Sequence, residues 1–166
     1  FKEPPLNRIP RVTCCAVRGS TGCCYYKEPN AFRKYVNESK PDLLIVGGIN
    51  NKDINAIQRV IEMATNQINC EILLLSGPLE EDWRKYDSEN PLLTLPKQQW
   101  DGSKLALEQQ QLALNLGIEF IDMAKHWNDY LGKSQKSREW FNRDGIHGND
   151  RGKQILGRIL EKYFTL

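Results

Sequence analysis

Short apolar runs alternate with amphipathic segments along this chain, and that alternation limits its fold more than any other feature. Residues 42–46 (DLLIV) and 71–75 (EILLL) are almost wholly apolar, which is typical of strands buried on both faces of a parallel sheet. Residues 11–17 (RVTCCAV) and 118–121 (IEFI) are two further β-type runs. Strands that alternate with helices predict an α/β fold with a central parallel sheet and helices on both faces.

The helices are predicted from apolar residues spaced three or four apart and from capping residues at their starts. Five are expected: residues 30–39, a helix capped by Asp53, a helix from Ser103 to the stop at Gly117, residues 123–131, and residues 149–163. With 166 residues and no internal repeat or linker, the chain is expected to form a single domain over 1–166.

The charge pattern argues against two classes of partner. The formal net charge is +2 and like charges form no long run, so neither nucleic acid nor an anionic membrane is expected as the main partner. No stretch approaches the roughly 18 apolar residues of a membrane-spanning helix. The compartment stays open, with a secreted or periplasmic location favoured.

Cysteine spacing argues against a metal site. The five cysteines include two adjacent pairs, Cys14–Cys15 and Cys23–Cys24, but no CxxC motif. The odd number fits neither a closed disulfide framework nor zinc, although a bridge between the two pairs remains open. We expect no metal and no cofactor.

Polar, glycine-rich segments follow three of the predicted strands, at residues 18–22, 47–51 and 76–102. Ligands in parallel α/β sheets bind beyond the carboxyl ends of the strands. A fourth segment, residues 142–149 (NRDGIHGN), precedes the last helix. The fold should therefore gather all four segments at one edge of the sheet.

Asp144 and His147 are the strongest candidates for chemistry. His147 is one of only two histidines, and imidazole is the commonest general base. A carboxylate three residues earlier can hold its tautomer, as acyl transfer requires. The alternative is an aspartate that caps a turn beside a surface histidine. His126, on a predicted helix, is expected to be structural.

Two donors for an oxyanion are also available. Gly22 lets a substrate oxygen approach its backbone N–H closely, and Asn50 offers a neutral side-chain amide. Trp100 and Trp140 are candidates for stacking against a sugar, with core or loop packing as the alternative.

These residues resemble the SGNH (GDSL-like) hydrolase superfamily over essentially the whole chain from Arg11. Gly19-Ser20-Thr21-Gly22 is similar to that family's second block, with Gly22 as oxyanion donor. Gly48-Ile49-Asn50-Asn51 is similar to its third block, Gly-x-Asn-Asp, with Asn50 as oxyanion donor. Asp144-Gly145-Ile146-His147 matches its last block.

The resemblance implies a three-layer α/β/α, flavodoxin-like sandwich and a serine ester hydrolase that acts on an acylated carbohydrate or another small ester. Two departures stand out. Asn51 replaces the family's usual aspartate, and no Gly-Asp-Ser nucleophile turn is present. The first strand, that turn and the first helix are therefore expected on a segment outside this chain, from the same gene product or from another chain.

Three alternatives remain. Ser20 serves as the nucleophile in a rearranged site, or the domain is a catalytically inactive SGNH-like carbohydrate binder. The third alternative is a flavodoxin-like nucleotide binder. The chain contains neither a GxGxxG motif nor a P-loop lysine motif, which argues against this alternative.

Overall fold

A computed structural model of the chain describes residues 29–47, 53–77, 104–144 and 147–164. This part is a mixed α/β structure with three parallel strands and five α-helices. In chain order the elements are α1 (Pro29–Tyr35), a 3-10 helix (Asn37–Ser39), β1 (Leu43–Val46), α2 (Ile54–Gln67), β2 (Glu71–Leu75), α3 (Lys104–Leu116), β3 (Glu119–Ile121), α4 (Met123–Ser134), a second 3-10 helix (Arg138–Trp140) and α5 (Asp150–Phe164).

The sheet has the order β1-β2-β3, and both strand pairs are parallel. Leu43 aligns with Glu71 in the first pair, and Leu75 aligns with Ile121 in the second. The parallel arrangement predicted from the apolar runs is therefore confirmed for these three strands. The predicted strand at residues 11–17 lies outside the described residues.

Apolar side chains cover the sheet on both faces because successive residues of a strand point to opposite sides. Val46, Ile72 and Leu74 pack with α1, α2 and α3 in one core cluster. The other buried members of that cluster are Phe32, Val36, Ile57, Val60, Ile61, Ala64, Leu112 and Ala113. Leu73 and Ile121 belong to a second cluster, against which Leu156, Ile159, Leu160 and Tyr163 of α5 pack. Helices therefore lie against both faces.

Local signals account for most helix ends. Asp53 caps α2, with its carboxylate accepting a hydrogen bond from the Ala56 N–H at 3.1 Å. Gly117 has a φ of 65° immediately after α3, a conformation that glycine adopts without strain. The predicted cap Ser103 lies outside the described residues.

The first helix is shorter than predicted. α1 ends at Tyr35, and a 3-10 turn continues to Ser39, whose hydroxyl donates to the Val36 carbonyl at 2.7 Å. Lys40 then adopts a left-handed φ of 44° before Pro41. A residue before proline is disfavoured in the α conformation, so the 3-10 turn does not continue through Lys40.

Ser76 joins the end of β2 to the start of α4. Its buried hydroxyl donates to the Asp122 carboxylate at 2.9 Å and accepts from the Ala124 N–H at 3.2 Å. Asp122 also caps α4 by accepting from the Lys125 N–H at 3.0 Å. The pair fixes one end of α4 at the carboxyl edge of the sheet.

We expect Ser76→Ala to lower the free energy of unfolding by about 1–3 kcal/mol, because the buried Ala124 N–H loses its hydroxyl partner. Urea denaturation measures the change. Ser39→Ala is the matched control: Ser39 is exposed, water replaces its bond, and the change should stay within about 0.5 kcal/mol. Equal effects of the two substitutions would contradict a structural role for the Ser76–Asp122 bond.

No helix among the described residues is both long enough and apolar enough to cross a membrane.

Candidate functional site

The candidate site is a turn between the second 3-10 helix and α5. Asn142 and Gly148 form an antiparallel bridge across it. On one side of the bridge the Arg143 N–H donates to the His147 carbonyl at 2.9 Å, and on the other the Asn149 N–H donates to the Phe141 carbonyl at 2.9 Å. These bonds make a short two-stranded ladder that holds the ends of the Asp144–His147 turn together.

Asn149 attaches this ladder to the last helix. Its side-chain oxygen accepts from the Gly152 N–H at 3.1 Å in the first turn of α5, as a capping residue does. Its side-chain amide donates to the Trp140 carbonyl at 3.0 Å. One side chain therefore ties the start of α5 to the end of the second 3-10 helix.

Gly152 allows α5 to lie directly against the backbone of Phe141. A Cβ built on Gly152 would lie 2.2 Å from the Phe141 carbonyl oxygen and 3.4 Å from the Trp127 ring. Any other residue at this position would push α5 away from the strand.

Aromatic side chains of α4 pack against Phe141, the residue that leads into the turn. Phe141 is buried and meets Trp127 edge-to-face at 6.0 Å and Tyr130 at 5.5 Å between ring centroids. Trp127 and Leu131, both on α4, complete this small cluster. Phe141, which precedes the turn, therefore packs against α4, while Asn149 connects the turn to α5.

The structure brings Asp144 and His147 into direct contact. Nδ1 of His147 lies 2.8 Å from Oδ1 and 2.9 Å from Oδ2 of Asp144. The carboxylate accepts, so a proton on Nδ1 completes the bond and leaves Nε2 unprotonated in the neutral ring. That tautomer is the one a general base needs.

Asp144 also organises the backbone of its turn. Its Oδ1 accepts from the His147 backbone N–H at 2.8 Å. One carboxylate therefore contacts both the backbone N–H and the imidazole of His147. The imidazole and the carboxylate are each 44% exposed.

Arg143 places a cation beside the Asp144 carboxylate. Its Nε lies 3.3 Å from Oδ2 of Asp144, and its side chain is 63% exposed. An exposed pair of this kind contributes little to stability. It does help to keep the carboxylate pointed at the turn.

Two basic side chains lie over the indole ring of Trp140. The Arg151 guanidinium lies over its ring at 4.2 Å from the centroid, and the Lys136 ammonium lies at 5.5 Å. Trp140 itself remains 47% exposed. In the described structure the ring serves as a support for cations, a role that the sequence did not suggest.

The other predicted site residues, Gly22, Asn50 and Trp100, lie outside the described residues, as does Ser20. Of the four segments expected to meet at the sheet edge, the described residues include Gly47 of the second, Ser76 and Gly77 of the third, and residues 142–144 and 147–149 of the last. Sequence reasoning missed Asn149 and Gly152. A glycine in the first turn of a helix was the available signal for a close approach.

No protein-family model matches the chain, and neither the curated proteins nor the solved structures contain a significant match to it. Across the described segments, no group of three or more histidine, cysteine, aspartate or glutamate side chains is arranged to hold a metal ion.

Proposed function

We propose that this chain is part of a serine ester hydrolase of the SGNH type, which removes an acetyl or other small acyl group from a carbohydrate. The observation that carries the proposal is the bond from His147 Nδ1 to the Asp144 carboxylate, 2.8 Å long, within an Asp-x-x-His turn just before the last helix. The parallel order of β1, β2 and β3 and the helices on both faces are compatible with the flavodoxin-like sandwich of that family.

Each reacting group has a role in the proposed reaction. A serine hydroxyl attacks the ester carbonyl, and Nε2 of His147 accepts its proton. The carbon–oxygen bond to the sugar then breaks, and the same proton passes to the departing sugar oxygen. In the second half water attacks the acyl-serine and loses a proton to Nε2. The bond between the acyl carbon and the serine oxygen breaks, Nε2 returns the proton to that oxygen, and the carboxylic acid leaves.

Asp144 holds the ring and stabilises the imidazolium that forms twice in each cycle. Gly22 and Asn50 are proposed to donate hydrogen bonds to the oxyanion.

The nucleophile is proposed to come from a segment outside this chain. Within the described residues, no serine or cysteine side chain hydrogen-bonds to His147. Ser76, at the carboxyl end of β2, is fully buried and bonded to Asp122. A buried hydroxyl with both of its hydrogen-bonding functions occupied is a poor nucleophile for an external ester.

The nucleophile can be identified by labelling the native protein with a serine-reactive fluorophosphonate, followed by peptide mass mapping. We expect the label on a serine that is not among these 166 residues, and we expect His147→Ala to abolish labelling because the hydroxyl loses its base. A label on Ser20 would place the nucleophile within this chain. Absence of label on any serine would favour a catalytically inactive carbohydrate-binding domain.

A further inference from the structure

Two cations share one exposed aromatic ring beside the candidate dyad. Arg151 lies over the Trp140 ring at 4.2 Å, and Lys136 lies at 5.5 Å from the same centroid. Contact with the electron-rich face of an indole stabilises a cation. We call these three residues the Trp140 platform.

The Arg151 guanidinium on this platform keeps its donors available. A guanidinium is planar, so it can rest a face on an indole while its N–H groups point outward in its own plane. Within the described part of the chain, no carboxylate pairs with Arg151 or with Lys136. Among the described residues Arg151 therefore lies on an aromatic ring without a carboxylate partner, so its guanidinium charge is not neutralised by an ion pair.

Neighbouring acids mostly have partners of their own. Asp150 accepts from Lys153 at 3.2 Å, and Asp144 is bonded to His147 and lies beside Arg143. Glu139 remains as an exposed acid next to Trp140.

Residues 136–153 contain five basic and three acidic residues, a net charge of +2 that equals the charge of the whole chain. This segment is therefore net positive, which favours an anionic ligand over a neutral one.

The short ladder fixes the platform relative to the dyad. At one end of the ladder the Asn149 side-chain amide donates to the Trp140 carbonyl, and at the other end the Arg143 N–H donates to the His147 carbonyl. Trp140 and Arg143 are three residues apart, so their Cα atoms are separated by at most about 11 Å. A ligand of disaccharide size can span that distance.

We infer that the Trp140 platform is a subsite for a carboxylate, and that the acylated carbohydrate is therefore an acidic sugar. The inference rests on the proposed function for the ester-cleaving role of the neighbouring dyad. The guanidinium edge of Arg151 meets the two carboxylate oxygens as a pair of parallel hydrogen bonds. Lys136 adds a second positive charge, and the ester lies toward His147.

Binding of two sugars that differ only in the acidic group tests the inference. The probes are methyl glucuronide and methyl glucoside, followed through the indole N–H resonance of Trp140 in the native protein. We expect the glucuronide to bind at least about tenfold more tightly than the glucoside, since one charge-assisted bond of ordinary strength accounts for such a ratio. Arg151→Gln should remove most of that preference.

Matched variants separate the subsite from general charge. Arg158→Gln removes the same charge from an exposed position two turns further along α5 and should leave both affinities unchanged. Lys136→Gln should weaken the glucuronide alone, by about two- to threefold, because a mobile ammonium at the longer distance contributes less. Equal binding of both sugars, no binding of either, or equal losses from the Arg151 and Arg158 variants would overturn the inference.

Failure here is distinguishable from failure of the hydrolase proposal. If the glucuronide preference is absent while His147→Ala still abolishes fluorophosphonate labelling, the hydrolase stands and its sugar is neutral. If the preference is present and depends on Arg151 while no serine is labelled, the carboxylate subsite stands on a protein that binds acidic sugars without cleaving them.

Discussion

Replacing His147 by alanine is expected to lower ester hydrolysis by the native protein by about 10³-fold or more. The imidazole takes a proton from serine in the first half of the proposed reaction and from water in the second, and removing such a base commonly costs several orders of magnitude. Hydrolysis of 4-nitrophenyl acetate measures the rate. Because the ring is 44% exposed, the fold should survive the change, which circular dichroism and the unfolding midpoint can verify.

His126→Ala is the control for this experiment. His126 is the other histidine of the chain and lies exposed on α4, so its removal should leave the rate unchanged. Asp144→Asn probes the orienting role more finely. An asparagine retains a side-chain oxygen for the His147 backbone N–H, so the turn is kept while the charge that sets the tautomer is lost. A His147→Ala rate within threefold of the parent would remove the dyad from the mechanism.

The second large effect is expected at Gly152, where alanine should lower the free energy of unfolding by about 3 kcal/mol or more. Its Cβ would meet the Phe141 carbonyl oxygen at 2.2 Å. Relief requires moving backbone, because neither partner is a flexible side chain. Denaturation in urea measures the loss. Catalysis should fall as well, since the Phe141 carbonyl also holds Asn149 at the base of the turn.

Gly157→Ala, one and a half turns further along the same helix, supplies the opposite expectation. Nothing lies within 4 Å of a Cβ at Gly157, so alanine there should stabilise the protein by about 0.5–1 kcal/mol through its higher helix propensity. Stabilisation at both positions would show that α5 does not make the close contact with Phe141.

Sequence periodicity predicted the described strands and helices with small errors at their ends. The run at 71–75 is a strand with the same bounds, Glu71–Leu75, because a strand buried on both faces leaves an unbroken apolar signature. α4 continues three residues beyond its predicted end to Ser134. The added residues 132–134 (GKS) include no large apolar side chain, so the spacing of apolar residues did not predict this part of the helix.

The Asp-x-x-His spacing was sufficient to nominate Asp144 and His147 but not to establish that they touch. A turn of four residues can place the carboxylate on the backbone, on the imidazole or on neither. Here it reaches both, because the ladder around Asn142 and Gly148 fixes the two ends of the turn. Hydrogen bonds between strands are set by register, which local spacing does not encode.

By itself the sequence determined the alternation of strand and helix, the parallel sheet and the identity of the candidate dyad. Each of these follows from the spacing of neighbouring residues and from their chemistry. The tertiary structure decided the rest. It placed Arg151 on Trp140, seated α5 against Phe141 through Gly152, and joined Ser76 to Asp122 across 46 residues. Such contacts depend on how packed elements are oriented in space, and no one-dimensional pattern records that orientation.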